Sequence, residues 1–179
     1  DFYLAKMAAD GVWEWALNIT GVTSISALAV NGDGAYISGE YGNGQSLTWG
    51  GTTISYLYSA HMYVAMATSD GSADWVRAFY SGAGDISVAD IDVTDHDAGM
   101  GFAAGSIYVL GSATNSYLSG HDPWQSCVPS SNSAVLIAFV LELDSTGACT
   151  GWWQVEENDI GGNDDRVFAE AIAADDDGY

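Results

Sequence analysis

Basic residues are nearly missing from this sequence. Lys6, Arg77 and Arg166 stand against 24 Asp and Glu in 179 residues, and the formal net charge is −21. An ordinary chain is about 25% charged with both signs near balance, so the acids are present in normal number and the bases are what is absent. Without cations the chain cannot displace counterions from a phosphate backbone, which excludes nucleic acid as a partner. An anionic membrane surface would repel it. No G-x-x-x-x-G-K-[ST] is present to cradle a phosphate. Proline and cysteine are also scarce, at two residues each. No apolar run reaches the roughly 18 residues of a membrane-spanning helix, so membrane insertion is not expected. The first residue is Asp1, which reads as a processed or excised segment.

What is there points to a packed β protein. The chain is 48% hydrophobic and 12% aromatic, enough to bury a core and too much for disorder. Residues 3–11 (YLAKMAADG), 63–71 (YVAMATSDG) and 139–147 (FVLELDSTG) repeat one pattern. Trp15 meets Trp75 at the same offset of 60, and Trp152 and Trp153 follow the third copy one or two places later. A second block, 49–57 (WGGTTISYL) and 110–118 (LGSATNSYL), matches at an offset of 61. The units predicted from these blocks are 1–60, 61–134 with an insertion at 119–134, and an incomplete 135–179 whose AIAADDDGY resembles residues 27–36.

Each unit reads as hairpins. Asp10-Gly11 separates two apolar runs, Asn31-Gly32-Asp33-Gly34 separates 25–30 from 35–41, and Gly50-Gly51 separates 46–49 from 52–58. Gly supplies the positive φ such turns need, and Asn and Asp tolerate it. Residues 165–174 have helical propensity, but their register with 21–30 predicts a strand. The fold class is therefore all-β, built of antiparallel, propeller-blade-like repeat units, about two complete and one incomplete. A lone blade cannot bury both faces, so blades must stack. Propellers usually close with four to eight blades, and fewer than three are encoded here.

The string D-x-Y-L-A-K-x-x-x-D-G-x-W-x-W at 1–15, A-x-A-V-N-G-D-G-x-Y-I-S-G at 27–39 and W-G-G-T-T at 49–53 resembles the secreted bacterial and archaeal β-propeller repeats. Unit two matches at Tyr63-Val64-Ala65, Asp70-Gly71 and Trp75, then departs at 94–105, where TDHDAGMGFAAG is longer than the usual turn. The resemblance implies four-stranded antiparallel blades around an axis, an extracellular or cell-surface location, and often no enzymatic activity.

Several residues are candidates for chemistry. Asn31 and Asp33, Asp95 and Asp97, and Asp175 and Asp177 gather oxygens at spacings that Ca²⁺ uses, although no twelve-residue loop with a terminal Glu is completed and a solvated Asp turn is the competing reading. Cys127 and Cys149 are expected to form a disulfide pinning the insertion onto unit three, with two buried thiols as the alternative. Asn18-Ile19-Thr20 is a glycosylation sequon, expected on a surface loop. Trp15 and Trp75 recur at repeat spacing, which favours a core role. Trp124, in the insertion, and one of Trp13 or Trp49 are the candidate platforms for stacking on carbohydrate. His61 and His121 are expected in turns. No Ser-His-Asp order and no H-E-x-x-H is present, so no catalytic residue is named. Together these features predict a non-enzymatic extracellular structural protein that self-associates through open sheet edges into a fibre or array, with calcium at Asp turns. The alternatives are a propeller-type carbohydrate- or protein-binding module, or a non-catalytic segment of a larger secreted propeller protein.

Overall fold

The description covers residues 1–42, 44–55, 60–81, 86–94, 105–114, 118–120, 136–157 and 170–173 of a computed structural model. Among them are β-strands only: β1 (Phe2–Met7), β2 (Trp13–Thr20), β3 (Ala27–Val30), β4 (Gly34–Tyr41), β5 (Leu47–Trp49), β6 (Thr52–Ile54), β7 (Ala60–Thr68), β8 (Ala73–Ser81), β9 (Ile86–Val93), β10 (Ile107–Thr114), β11 (Leu118–Gly120), β12 (Leu136–Leu143) and β13 (Cys149–Glu157). They form three sheets ordered β1-β2-β5-β6, β11-β8-β7-β4-β3 and β13-β12-β10-β9. Every pairing is antiparallel. The all-β class with antiparallel sheets is as the sequence predicts, but three sheets of four or five strands stand where about two complete units and one incomplete were expected.

The second sheet is the middle layer, and the pleat explains how it serves two cores. Successive side chains of a strand point to opposite faces. Along β7, Met62, Val64 and Met66 join a core with Val88, Ile91, Val109, Phe139 and Leu141 of the third sheet. The intervening Tyr63, Ala65 and Ala67 join Leu4, Ile19, Leu47 and Trp49 of the first. A strand covered on both faces loses its polar alternation. This is why residues 61–67 are all buried and 62–67 read as one apolar run.

The first hairpin of each sequence unit is built the same way. Gly11, Gly71 and Gly147 have φ of 86°, 88° and 76°. Each donates its N–H to the residue three places back, and that residue's N–H bonds the carbonyl four places ahead, as in Ala8 N to Val12 O, Thr68 N to Ser72 O and Asp144 N to Ala148 O. The geometry is a three-residue loop closed by a left-handed glycine. A register shift follows at the same place in all three ladders, between Lys6/Met7, Met66/Ala67 and Glu142/Leu143.

Two expectations need correction. The second repeated block does not superpose. Residues 49–54 turn from β5 into β6 at the first sheet, whereas 110–114 lie inside β10, between β9 and β12. Ladder positions instead match Gly39 with Gly111, 72 residues apart, because the long segment at 94–105 separates β9 from β10. The sheets are also out of phase with the sequence units. The hairpin β3–β4 of unit one pairs with β7–β8 of unit two, and β9–β10 of unit two with β12–β13 of unit three. Residues 170–173 carry no strand, although the Ile172 N–H bonds Asp90 Oδ2 beside β9 at 3.0 Å. Residues 165–169 lie outside the described residues.

Candidate functional site

The most specific side-chain chemistry lies at the seams between sheets, and it occurs twice. Trp15 of the first sheet lays its ring on the Ser69-Asp70-Gly71 turn of the second, and its indole N–H donates to the Ser69 carbonyl at 3.2 Å. Trp75 of the second sheet covers Ser145-Thr146-Gly147 of the third, donating to the Ser145 carbonyl at 3.0 Å. The turns must be glycine on two counts. The backbone is left-handed, and a Cβ would meet the ring, at 2.6 Å from Trp15 Cδ1 for Gly71 and 2.9 Å from Trp75 Cε3 for Gly147.

The scarce cations stand at the same seams. Lys6 Nζ pairs with Glu14 at 2.7 Å and reaches the Ser69 carbonyl at 3.5 Å. Arg77 lies 5.3 Å from the Trp75 ring centroid and donates to the Thr146 carbonyl at 2.6 Å. Burial pulls the Arg77 guanidinium below its ordinary value, opposed by Asp144 and Asp74. Arg166 lies outside the described residues.

The Asp residues of the turns are occupied by their own backbone. Asp10 Oδ1 accepts from Val12 N, and Asp70 Oδ1 from Ser72 N. Asp144 Oδ1 accepts from Thr146 N, Thr146 Oγ1 and Ala148 N. Burial raises the Asp144 carboxyl, but these bonds and Arg77 outweigh it and hold the group below 3.8. A depressed folded pKa adds stability above the unfolded value and loses it as pH falls through the folded value. Asp144→Ala should therefore cost about 1–2 kcal/mol at neutral pH. The gap between the melting temperatures of variant and parent should close as pH drops below 3.8. A gap that stays constant in acid would contradict this assignment.

The calcium candidates fare unevenly. Asn31 Oδ1 is taken by the N–H groups of Asp33 and Gly34, at 3.0 and 3.2 Å, while Asp33 is exposed. No three His, Cys, Asp or Glu converge among the described residues. Asp95, Asp97, Asp175 and Asp177 lie outside them, as do Cys127 and Trp124. Cys149 is disulfide-bonded. Asn18 is exposed, as a glycan requires, but in β2 opposite Tyr3 rather than in a loop.

The aromatic residues sort clearly. Trp49 is 1% exposed and donates to the Met66 carbonyl at 3.1 Å, so it is core and not a platform. His61 is a buried strand residue whose ring centroid lies 4.5 Å from that of Tyr41, not a turn residue. Trp13 and Trp153 are 66% and 46% exposed.

Sequence reasoning missed the end face to which Trp13 belongs. By ladder register Tyr3, Ala5, Met7, Ala16 and Asn18 correspond to Tyr63, Ala65, Ala67, Val76 and Ala78, which are buried in the seam between the first two sheets. In the first sheet the same positions are uncovered: Tyr3 is 67% and Met7 53% exposed, and Ala5, Ala16 and Asn18 are exposed too. The signal was available, since Tyr3 and Tyr63 align, but only the sheet order shows which copy has no neighbouring sheet among the described residues. Beside this face, between β1 and β3, Leu4, Met7, Trp15, Leu28 and Val30 line an apolar groove of about 370 Å³.

No protein-family profile matches the chain, and no curated protein matches it.

Proposed function

We propose that this chain is a non-enzymatic structural protein of the cell exterior that assembles with itself, with calcium at the Asp-rich sequence segments that carry Asp95, Asp97, Asp175 and Asp177. The observation that carries the reading is the uncovered face of the first sheet. Contiguous exposed apolar surface marks an interaction site, and this surface repeats positions that are fully buried one sheet further on. The disulfide at Cys149, expected to pair with Cys127, supports an oxidising compartment. A net charge of −21 opposes association until it is screened or neutralised. The resemblance of residues 1–53 to secreted propeller repeats supports the same location.

Sedimentation velocity on the isolated chain tests this. Assembly should appear at high salt, where the screening length shrinks to about 3 Å at 1 M, and should weaken in low salt with a chelator. A stable monomer under all of these conditions would sink the proposal. Assembly indifferent to chelator would remove calcium alone.

A further inference from the structure

Two turns of the same build are each covered by an indole from the preceding sheet, while among the described residues a third such turn has no indole over it and a third such indole site covers no turn. At the start, the Ala9-Asp10-Gly11 turn has the backbone bonds and the left-handed glycine of the other two. Its exposed Gly11 has nothing within 4 Å of a Cβ built on it. At the finish, the third sheet repeats the bulge at which Trp15 and Trp75 stand. The ladder positions are Lys6↔Trp15, Met66↔Trp75 and Glu142↔Gly151. Gly151 thus holds the tryptophan's place, and an indole fills it from two residues on. The Cη2 and Cζ2 atoms of Trp153 lie 3.3 and 3.5 Å from a Cβ built at Gly151. This ring is 46% exposed and faces away from the second sheet.

We infer that Trp153 is the docking ring for the Ala9-Asp10-Gly11 turn of a second copy of this chain, so that copies join head to tail and continue the stack that already runs through the three sheets. The inference rests on the self-assembly reading above and names its interface. The two ends are complementary because each is one half of a contact the molecule makes internally. The face that accompanies the open turn carries Tyr3, Ala5, Met7, Trp13, Ala16 and Asn18, with no ionised side chain among them. On the facing side the described carboxylates already have partners: Asp90 accepts from Ile91 N and Ile172 N, Asp92 from Val93 N, and Glu142 from the Tyr108 hydroxyl. A contact between two different surfaces does not close on itself in a dimer, so it propagates. Asn18 lies on the same face, opposite Tyr3, so a glycan there and this stacking exclude each other.

Two substitutions each block one end. Gly11→Asn keeps a residue that tolerates the left-handed turn and sets a side chain where the ring must sit. Trp153→Ala removes the ring from an exposed position. Sedimentation velocity over a concentration series at high salt should show the parent chain growing beyond dimers. Each variant should associate at least roughly tenfold more weakly, the loss typical of a central aromatic anchor. An equimolar mixture of the two variants retains one intact interface and should form dimers as tightly as the parent, and nothing larger. Circular dichroism of both variants should match the parent, with melting temperatures lowered by only a few degrees. If the parent assembles and the variants assemble equally well, the interface lies elsewhere and the inference falls while self-assembly stands. If the variants weaken but the mixture does not recover dimers, the head-to-tail arrangement is wrong. A parent that stays monomeric removes the self-assembly reading and this inference with it.

Discussion

Trp75→Ala should lower the stability of the chain by about 3–5 kcal/mol, the usual cost of emptying a large aromatic site in a core. For a chain of this length that is a fall in melting temperature of roughly 6–20 °C. The residue sits where the second and third sheets meet. It belongs to the core shared with Val109, Phe139 and Leu141, and its ring centroid is 6.3 Å from that of Tyr36. Its N–H holds the Ser145 carbonyl, and Arg77 stacks on its face. Truncation would empty the site, leave the Ser145 carbonyl short of a donor and free Arg77 from the ring. Trp153→Ala in the same background should cost little, because that ring is half exposed. Thermal melts of the two variants measured side by side check both statements. Equal losses would mean that the seam is not the element that holds the sheets together.

Gly71→Ala should cost about 2–5 kcal/mol, and Gly11→Ala only about 1–2 kcal/mol. Both glycines close the same turn at nearly the same φ, 88° and 86°, so both substitutions incur the left-handed penalty of about 1–2 kcal/mol. They differ in what the new methyl meets. At Gly11 it meets open space, and at Gly71 it runs into the Trp15 ring. Forcing a methyl into a packed contact adds about 1–3 kcal/mol. Chemical denaturation of both variants isolates that packing component as the difference between them. If the two costs agree, the Trp15 ring yields freely and the seam is looser than its hydrogen bond to Ser69 implies.

Alkaline stability should be limited by buried phenols. Burial pushes the Tyr41 and Tyr63 hydroxyls well above 10, and burial together with the neighbouring Glu142 raises Tyr108 to about 12. A raised folded pKa adds stability that is full below the unfolded value of 10.0 and is lost as pH rises through the folded one. Denaturation midpoints should therefore begin to fall above pH 10, and a flat profile there would show the phenols to be wet.

Much of the local structure was legible in the sequence. Asp-Gly and Gly-Gly between apolar runs marked the turns at 10–11 and 50–51 and the strands on either side of them. The three copies of the first hairpin were visible as strings, and they do share backbone hydrogen bonds. Local chemistry decides such features, because a three-residue loop that needs positive φ selects Gly whatever surrounds it. The recurrence of Trp15 and Trp75 likewise pointed to a core role, although not to what the rings cover.

The rest depended on neighbours distant in sequence. Trp49 read, with Trp13, as a possible surface platform, yet the sheet order lays it against β7 and buries it. His61 read as a turn residue together with His121, one repeat offset away, yet β7 begins one residue before it. Residues 49–53 matched 110–114 without structural equivalence, since an insertion between two strands shifts spacing without shifting pairing. The sequence by itself determined the turns, the strands, the repeat of the first hairpin and the scarcity of cations. Tertiary structure alone decided which hairpins share a sheet, which aromatics face a partner and which end face is left bare. The physical reason is that a strand's hydrogen-bonding edges accept any partner of matching length, so only packing across the sheets, through seams such as Trp15 on Gly71, selects one arrangement.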